Sequence, residues 1–252
     1  HRTAERTAKQ TGELVISISQ RRNVITIFKD YDRHILEDTE VVLNKANQAI
    51  KTLEKYKKVF DSKLNILNEY EFNDIVTLDN VVTVIQRAEM VMRIVDEIIS
   101  QIAELGQDGR LVQMQLDELV SGVEKEEKLI IKDYLIVKNK SENEIMDELE
   151  NLSYEALLKE SNIAKILGYD SFENYDEVGI YPRGYRILNK IPRMPVNIVE
   201  NLIDEFKSFQ HIVSADTQDL EEVDGIGEVR AKNIKNSITR MKEQFVFENI
   251  LD

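Results

Sequence analysis

Residues 188–202, moved forward by 32 positions, fall on residues 220–234 with their apolar positions in step. Ile191 meets Val223, Met194 meets Ile226, Val199 meets Ala231 and Leu202 meets Ile234. Each copy reads as apolar residues, a short turn, then a helix with apolar positions three and four apart. This end of the chain is therefore held to a pair of helix–turn–helix corners. In the second copy the turn is Gly225-Ile226-Gly227. Glycine can take a positive φ there, and without a Cβ it lets another molecule come close to the backbone. The helix that follows presents unpaired N–H groups at an end with partial positive charge, which suits a phosphate. The first copy has Pro192 and Pro195 where the second has Asp224 and Gly227. Proline also turns the chain and starts helices, but it removes a donor. The first copy thus reads as a structural partner and the second as the stronger phosphate site.

The run Leu220-Glu-Glu-Val-Asp-Gly-Ile-Gly-Glu-Val229, followed by Arg230, Ala231, Lys232 and Ile234, resembles the helix-hairpin-helix motif. With its partner copy it resembles the tandem domain of that family that straddles a duplex minor groove, over roughly Tyr181 to Glu243. The reading gives Gly225, Ile226, Gly227 and Val229 as the turn and backbone donors. Arg230 and Lys232 lie one turn further on, and Arg183, Arg186, Lys190 and Arg193 form a second basic cluster at the first hairpin. Backbone contacts position a protein without reading bases, so shape rather than sequence recognition is expected. Hairpins of this family hold a monovalent cation on their turn carbonyls, and the resemblance implies the same here.

Charge sets a limit on that reading. The net charge is −14, which argues against nonspecific DNA binding by the whole surface. It is unevenly spread: residues 181–252 hold 10 Lys/Arg against 12 Asp/Glu, and residues 34–180 hold 16 against 31. The near-neutral carboxy-terminal piece implies modest affinity for each hairpin unit. No cysteine is present, which fits a reducing cytoplasm. No run of 18 apolar residues is present, so membrane insertion is not expected.

At the other end, Leu14 to Ser19 and Val24 to Phe28 read as two strands joined through Gln20-Arg21-Arg22-Asn23. Strand one is apolar at nearly every position, as in a strand buried on both faces. Two strands alone are marginal in water. The first residue is His1, not methionine, so residues 1–32 read as the tail of an α/β domain whose larger part precedes them. His1-Arg2-Thr3-Ala4 opens a short helix with groups suited to a polyphosphate.

That segment, helix then apolar strand ending in Ser-Gln-Arg-Arg, resembles the second half of the diadenylate cyclase domain. The family carries an Asp-Gly-Ala and an Arg-His-Arg motif. His1 and Arg2 match the last two residues of the latter, while Asp-Gly-Ala, with the metal-holding carboxylate, does not occur in the chain. Cyclase tail, helical middle and tandem hairpins, in that order, resemble the family of DNA-scanning diadenylate cyclases. The resemblance implies condensation of two ATP into cyclic di-AMP and diphosphate with Mg²⁺ or Mn²⁺, with His1, Arg2 and Thr3 at the ATP phosphates. It further implies a homo-octamer, a cytoplasmic, nucleoid-associated bacterial setting, and arms that recognise branched DNA such as recombination intermediates. The chain alone is expected to keep DNA binding but not catalysis.

Between these ends the apolar positions Val42, Ala46, Ile50, Leu53, Phe60, Leu64 and Leu67 mark one long amphipathic helix. Leu78 to Ile102 marks a second; Gln107-Asp108-Gly109 breaks the pattern, and Leu111 to Tyr134 continues it. Three such helices predict an antiparallel bundle. Met90, Met92 and Met114 read as core filler, and His34 and His211 as surface or boundary residues. Ser141-Glu142-Asn143-Glu144 is a capping box, Ser153 caps the next helix and Gly168 ends it. The fold expected is mainly α: an α/β cyclase remnant of one helix and two strands over 1–32, an elongated helical spine over 33–180, and a tandem helix-hairpin-helix domain over 181–252. A helical protein-interaction or oligomerisation module, using the hairpins without DNA, is the other class the pattern permits.

Overall fold

A computed structural model describes residues 2–22, 24–170 and 174–248 of the chain, and side chains as far as residue 245. Its contacts group into two compact units, one formed by residues 1–53 and 94–119 and the other by residues 54–93 and 120–252.

In the first unit, helix α1 (Arg2–Thr11) packs through Ala8 onto an antiparallel sheet of β1 (Val15–Ser19), β2 (Val24–Lys29) and β3 (Asp32–Ile35). β2 is central, pairing Ile16 with Ile27 on one side and Ile27 with His34 on the other. One expectation is corrected here. A third strand is present; its residues, Asp-Arg-His-Ile, carry no apolar alternation and are held by pairing to β2 after a tight turn at Asp30, whose φ is 51°. Among the described residues β1 lies at the edge of this sheet, with Ile16 and Ile18 58% and 70% exposed. Glu104 accepts the Glu37 N–H at 2.7 Å and stands 3.5 Å from His34, so His34 is a surface residue with one carboxylate partner.

Helices α2 (Thr39–Asn73) and α3 (Leu78–Leu105) are the long amphipathic pair, and α2 buries Val42, Ala46, Leu53, Phe60 and Leu67 as the spacing predicts. A 3-10 turn at Gly106–Gly109 stands where the pattern breaks. The third long helix is in fact two, α4 (Arg110–Val120) and α5 (Val123–Tyr134), parted at Ser121 and Gly122, the latter with φ 86°. Met90 is core and Met92 half-buried, but Met114 is 59% exposed, so it fills no core.

The second unit continues with α6 (Glu142–Glu150), α7 (Tyr154–Leu157) and α8 (Glu160–Leu167). Ser141 and Glu144 form the expected capping box: Ser141 Oγ accepts the Glu144 N–H, and the Glu144 carboxylate accepts the Ser141 N–H at 2.7 Å. Ser153 caps α7, but that helix ends at Leu157, and Gly168, with φ 102°, ends α8 instead, so the one helix expected between them is two.

The repeat then forms two corners. The first is α9 (Tyr185–Leu188) and α10 (Val196–Phe206); α11 (Phe209–Ser214) connects; the second is α12 (Thr217–Glu221) and α13 (Glu228–Glu248). Matched positions are buried together in one cluster: Ile191 with Val223, Val199 with Ala231, Leu202 with Ile234. Burying a large aliphatic side chain of this kind stabilises by about 1.5–3 kcal/mol, so the two corners hold each other. His211 is on the surface of α11, with Nδ1 2.8 Å from the Phe206 carbonyl oxygen.

Candidate nucleic-acid interface

The two corners repeat down to single hydrogen bonds. Met194 N–H donates to Ile191 O at 3.3 Å, and Ile226 N–H to Val223 O at 3.0 Å. Val199 N–H donates to Pro195 O at 3.2 Å, and Ala231 N–H to Gly227 O at 3.0 Å. Each turn carries a positive φ at its third residue, 60° at Arg193 and 80° at Gly225. Positive φ with a four-residue hydrogen bond is the type II turn, which takes Pro at its second position, as at Pro192, and Gly at its third, as at Gly225.

In the second corner, the N–H groups of Gly225, Gly227 and Val229 donate to no acceptor among the described residues. All three residues are exposed, Val229 to 84%, while Ile226 is buried and anchors the turn. Arg230 folds back so that its guanidinium donates to the Gly225 carbonyl, which sets its charge beside the turn and leaves other donors open. Lys232 is exposed and paired with Glu228. A Cβ on Gly227 would meet nothing within 4 Å, whereas one on Gly225 would stand 2.6 Å from Ile198 Cδ1.

The basic cluster at the first corner is placed differently from the sequence expectation. Arg186, read as a phosphate contact, has no exposed surface; it forms a buried ion pair with Glu71 and donates to Asn68 Oδ1 at 2.5 Å. Its guanidinium cannot reach a phosphate. Tyr134 OH donates to the other Glu71 oxygen at 2.8 Å. Lys190 lies 3.7 Å from Glu126, and burial and the Arg186 charge lower its pKa. Arg183 donates to Leu135 O at 2.6 Å, capping the carboxy end of α5, where a cation is favoured. These three side chains hold the first corner to α2 and α5; Arg193 alone is left exposed and unengaged at its turn.

Asp133 completes that joint. Its carboxylate accepts the N–H groups of Gly184, Tyr185 and Arg186 at 2.7, 2.7 and 2.9 Å, capping α9 from a distant segment. In the second corner Asp216 caps α12 from its own N-cap position. Burial and the Glu71 charge push the Asp133 carboxyl up to about 7, against the pull of those N–H groups and Arg186. Nearby on α5, burial raises Glu127 well above the usual carboxylate range, with Glu89 adding to it; no backbone or cationic donor reaches its oxygens. Both groups keep protons in the folded state that the unfolded chain releases near pH 4. Stability therefore falls as pH rises from about 4 towards 7 and above. The urea midpoint is expected to drop between pH 5 and pH 8, with a shallower slope in Glu127→Gln. A flat or rising midpoint in the parent chain would contradict these placements.

Of the expected ATP contacts, Arg2 and Thr3 are exposed in the first turn of α1, and His1 lies outside the described residues. Among the described residues no group of three or more His, Cys, Asp or Glu side chains could hold a metal ion. No described helix is long and apolar enough to cross a membrane.

Residues 36–175 match the family described as DisA bacterial checkpoint controller linker region. The chain is 49% identical over 249 residues to the DNA integrity scanning protein DisA of Acetivibrio thermocellus, covering 99% of this chain and 69% of that protein. It is 51% identical over 244 residues to the protein of the same name from Clostridium tetani, covering 97% and 67%. For that of Clostridioides difficile the identity is 49% over 243 residues, covering 96% and 68%. The linker match and these relatives, together covering helical middle and paired hairpins alike, show that the chain belongs to the DNA integrity scanning protein DisA family.

Proposed function

We propose that this chain binds branched DNA through its second hairpin. Gly225, Gly227 and Val229 offer backbone N–H groups to phosphate, and Arg230, Lys232 and, from the first turn, Arg193 add charge. The observation that carries the reading is the set of three exposed, unpartnered N–H groups beside the Arg230 guanidinium. Two of the four basic side chains expected at the first corner, Arg183 and Arg186, are spent on the joint, and Lys190 is half-buried there, so one hairpin grips weakly and several arms acting together raise the avidity. In the whole protein, Arg2 and Thr3, with His1, serve a diadenylate cyclase that joins two ATP into cyclic di-AMP with Mg²⁺ or Mn²⁺, in a homo-octamer; residues 1–252 alone are not assigned that activity. A monovalent cation at the hairpin would use second lone pairs, because Val223, Asp224 and Gly225 carbonyl oxygens each already accept one hydrogen bond.

A mobility-shift titration tests the DNA reading. A four-way junction should bind about tenfold tighter than linear duplex of the same length, a difference of about 1.4 kcal/mol. Both complexes should weaken as salt rises, because phosphate contacts release counterions. Equal affinity for the two DNAs overturns the branched-DNA reading, and absence of any salt-dependent shift favours a protein-interaction module.

A further inference from the structure

We propose that Asn201, on helix α10 of the first hairpin, is a positioning residue that aims the Gly225 N–H of the second hairpin at phosphate. The proposal rests on the DNA-binding reading of that hairpin and adds a residue from the other repeat to it. Asn201 Nδ2 donates to the Asp224 carbonyl oxygen at 3.0 Å. A carbonyl only accepts, so the amide nitrogen must face it. The Asp224 C=O and the Gly225 N–H belong to one planar trans peptide and point in opposite directions. Holding the oxygen towards α10 therefore turns the N–H away from it, to the side where no acceptor of the described residues meets it.

The lock matters because of the turn it sits on. Asp224–Gly225 is the central peptide of the type II turn from Val223 to Ile226. Types I and II differ by rotation of that one peptide, and glycine tolerates both signs of φ. Left unheld, the peptide is free to turn its carbonyl oxygen, instead of its N–H, towards an incoming phosphate. The next peptide is already fixed at both ends, its carbonyl by Arg230 and its N–H by the Val223 oxygen. Ile198 Cδ1 closes the inner side of the turn, where a Cβ on Gly225 would stand 2.6 Å away. The repeat shows that the bond is not a by-product of symmetry. Asn233 stands 32 positions after Asn201, yet it makes no hydrogen bond to Pro192, the counterpart of Asp224. The lock is present only at the corner that keeps the Gly227 N–H, a donor that Pro195 lacks in the other.

The test measures four-way-junction affinity across a salt series for the full chain, Asn201→Leu, Asn201→Ala, Arg230→Gln and Gly227→Glu, with urea midpoints as folding controls. Both Asn201 variants should lose about five- to tenfold in affinity, within the range for one ordinary net hydrogen bond. Their salt slope should match that of the parent, because an N–H releases no counterion, whereas Arg230→Gln should lower the slope by about one. A simple loss of fold would shift the urea midpoint and does not predict this split. Parental affinity in both Asn201 variants, with Gly227→Glu weakened, overturns the positioning role alone. A lowered salt slope in the Asn201 variants overturns it as well. Parental affinity in Gly227→Glu overturns the hairpin reading beneath it.

Discussion

Replacing Arg186 with Met should destabilise the chain by about 3–5 kcal/mol, the usual cost of leaving one partner of a buried ion pair uncompensated. The Glu71 side chain has no exposed surface, and without the guanidinium it keeps the Tyr134 hydroxyl as its one side-chain donor. Adding Glu71→Gln to the Met variant removes the stranded charge, so the double variant should recover a large part of the loss; the cycle isolates the pair from the rest of the joint. Urea denaturation reads all four chains. Loss under about 1 kcal/mol in Arg186→Met, on the scale of an exposed ion pair, would contradict the buried placement. Junction affinity per folded molecule should be unchanged, because this arginine does not face the DNA.

The second large effect is on binding. Gly227→Glu places a carboxylate at the open side of the turn without a clash, since a Cβ there meets nothing within 4 Å. Two like charges about 4 Å apart repel by about 1 kcal/mol in bulk water and about 4 kcal/mol near a protein surface. Junction affinity should therefore fall by at least about fivefold and by as much as several hundredfold, with the urea midpoint unchanged. Gly225 is a poor site for the same experiment. Any side chain there strains a φ of 80° and presses on Ile198, so lost binding would report lost fold.

What was legible in the sequence follows from how local each signal is. The 32-residue offset found both corners because the apolar positions that bury them, Ile191 with Val223 and Leu202 with Ile234, lie within one repeat length. The capping box at Ser141 was legible for the same reason, since its partners are three residues apart. The joint was not. Arg186 meets Glu71 and Asn68 across 115 and 118 residues, and nothing in a basic cluster tells a phosphate contact from a buried partner of a distant acid. Asp133 caps α9 across some fifty residues, where the local sequence offers only Gly184 at the N-cap. One clue was present: the second corner carries its own cap at Asp216 and the first does not, so the first needed a donor-satisfying group from elsewhere. Strand β3 escaped notice because pairing, not side-chain alternation, forms it. The positioning bond from Asn201 escaped because its repeat counterpart, Asn233, makes no such bond, so the offset gave no hint of it.

The central claim is that the two hairpins, alike in backbone, are unequal in grip: the second holds phosphate and the first holds the arm. One charge-matched comparison tests this most directly. Gly227 and Pro195 occupy the same position of the repeat, so Gly227→Glu and Pro195→Glu are measured side by side against a four-way junction at one salt concentration. The account predicts a loss of at least about fivefold for Gly227→Glu, and a loss within about twofold for Pro195→Glu. Equal losses, or a larger loss at Pro195, would contradict it.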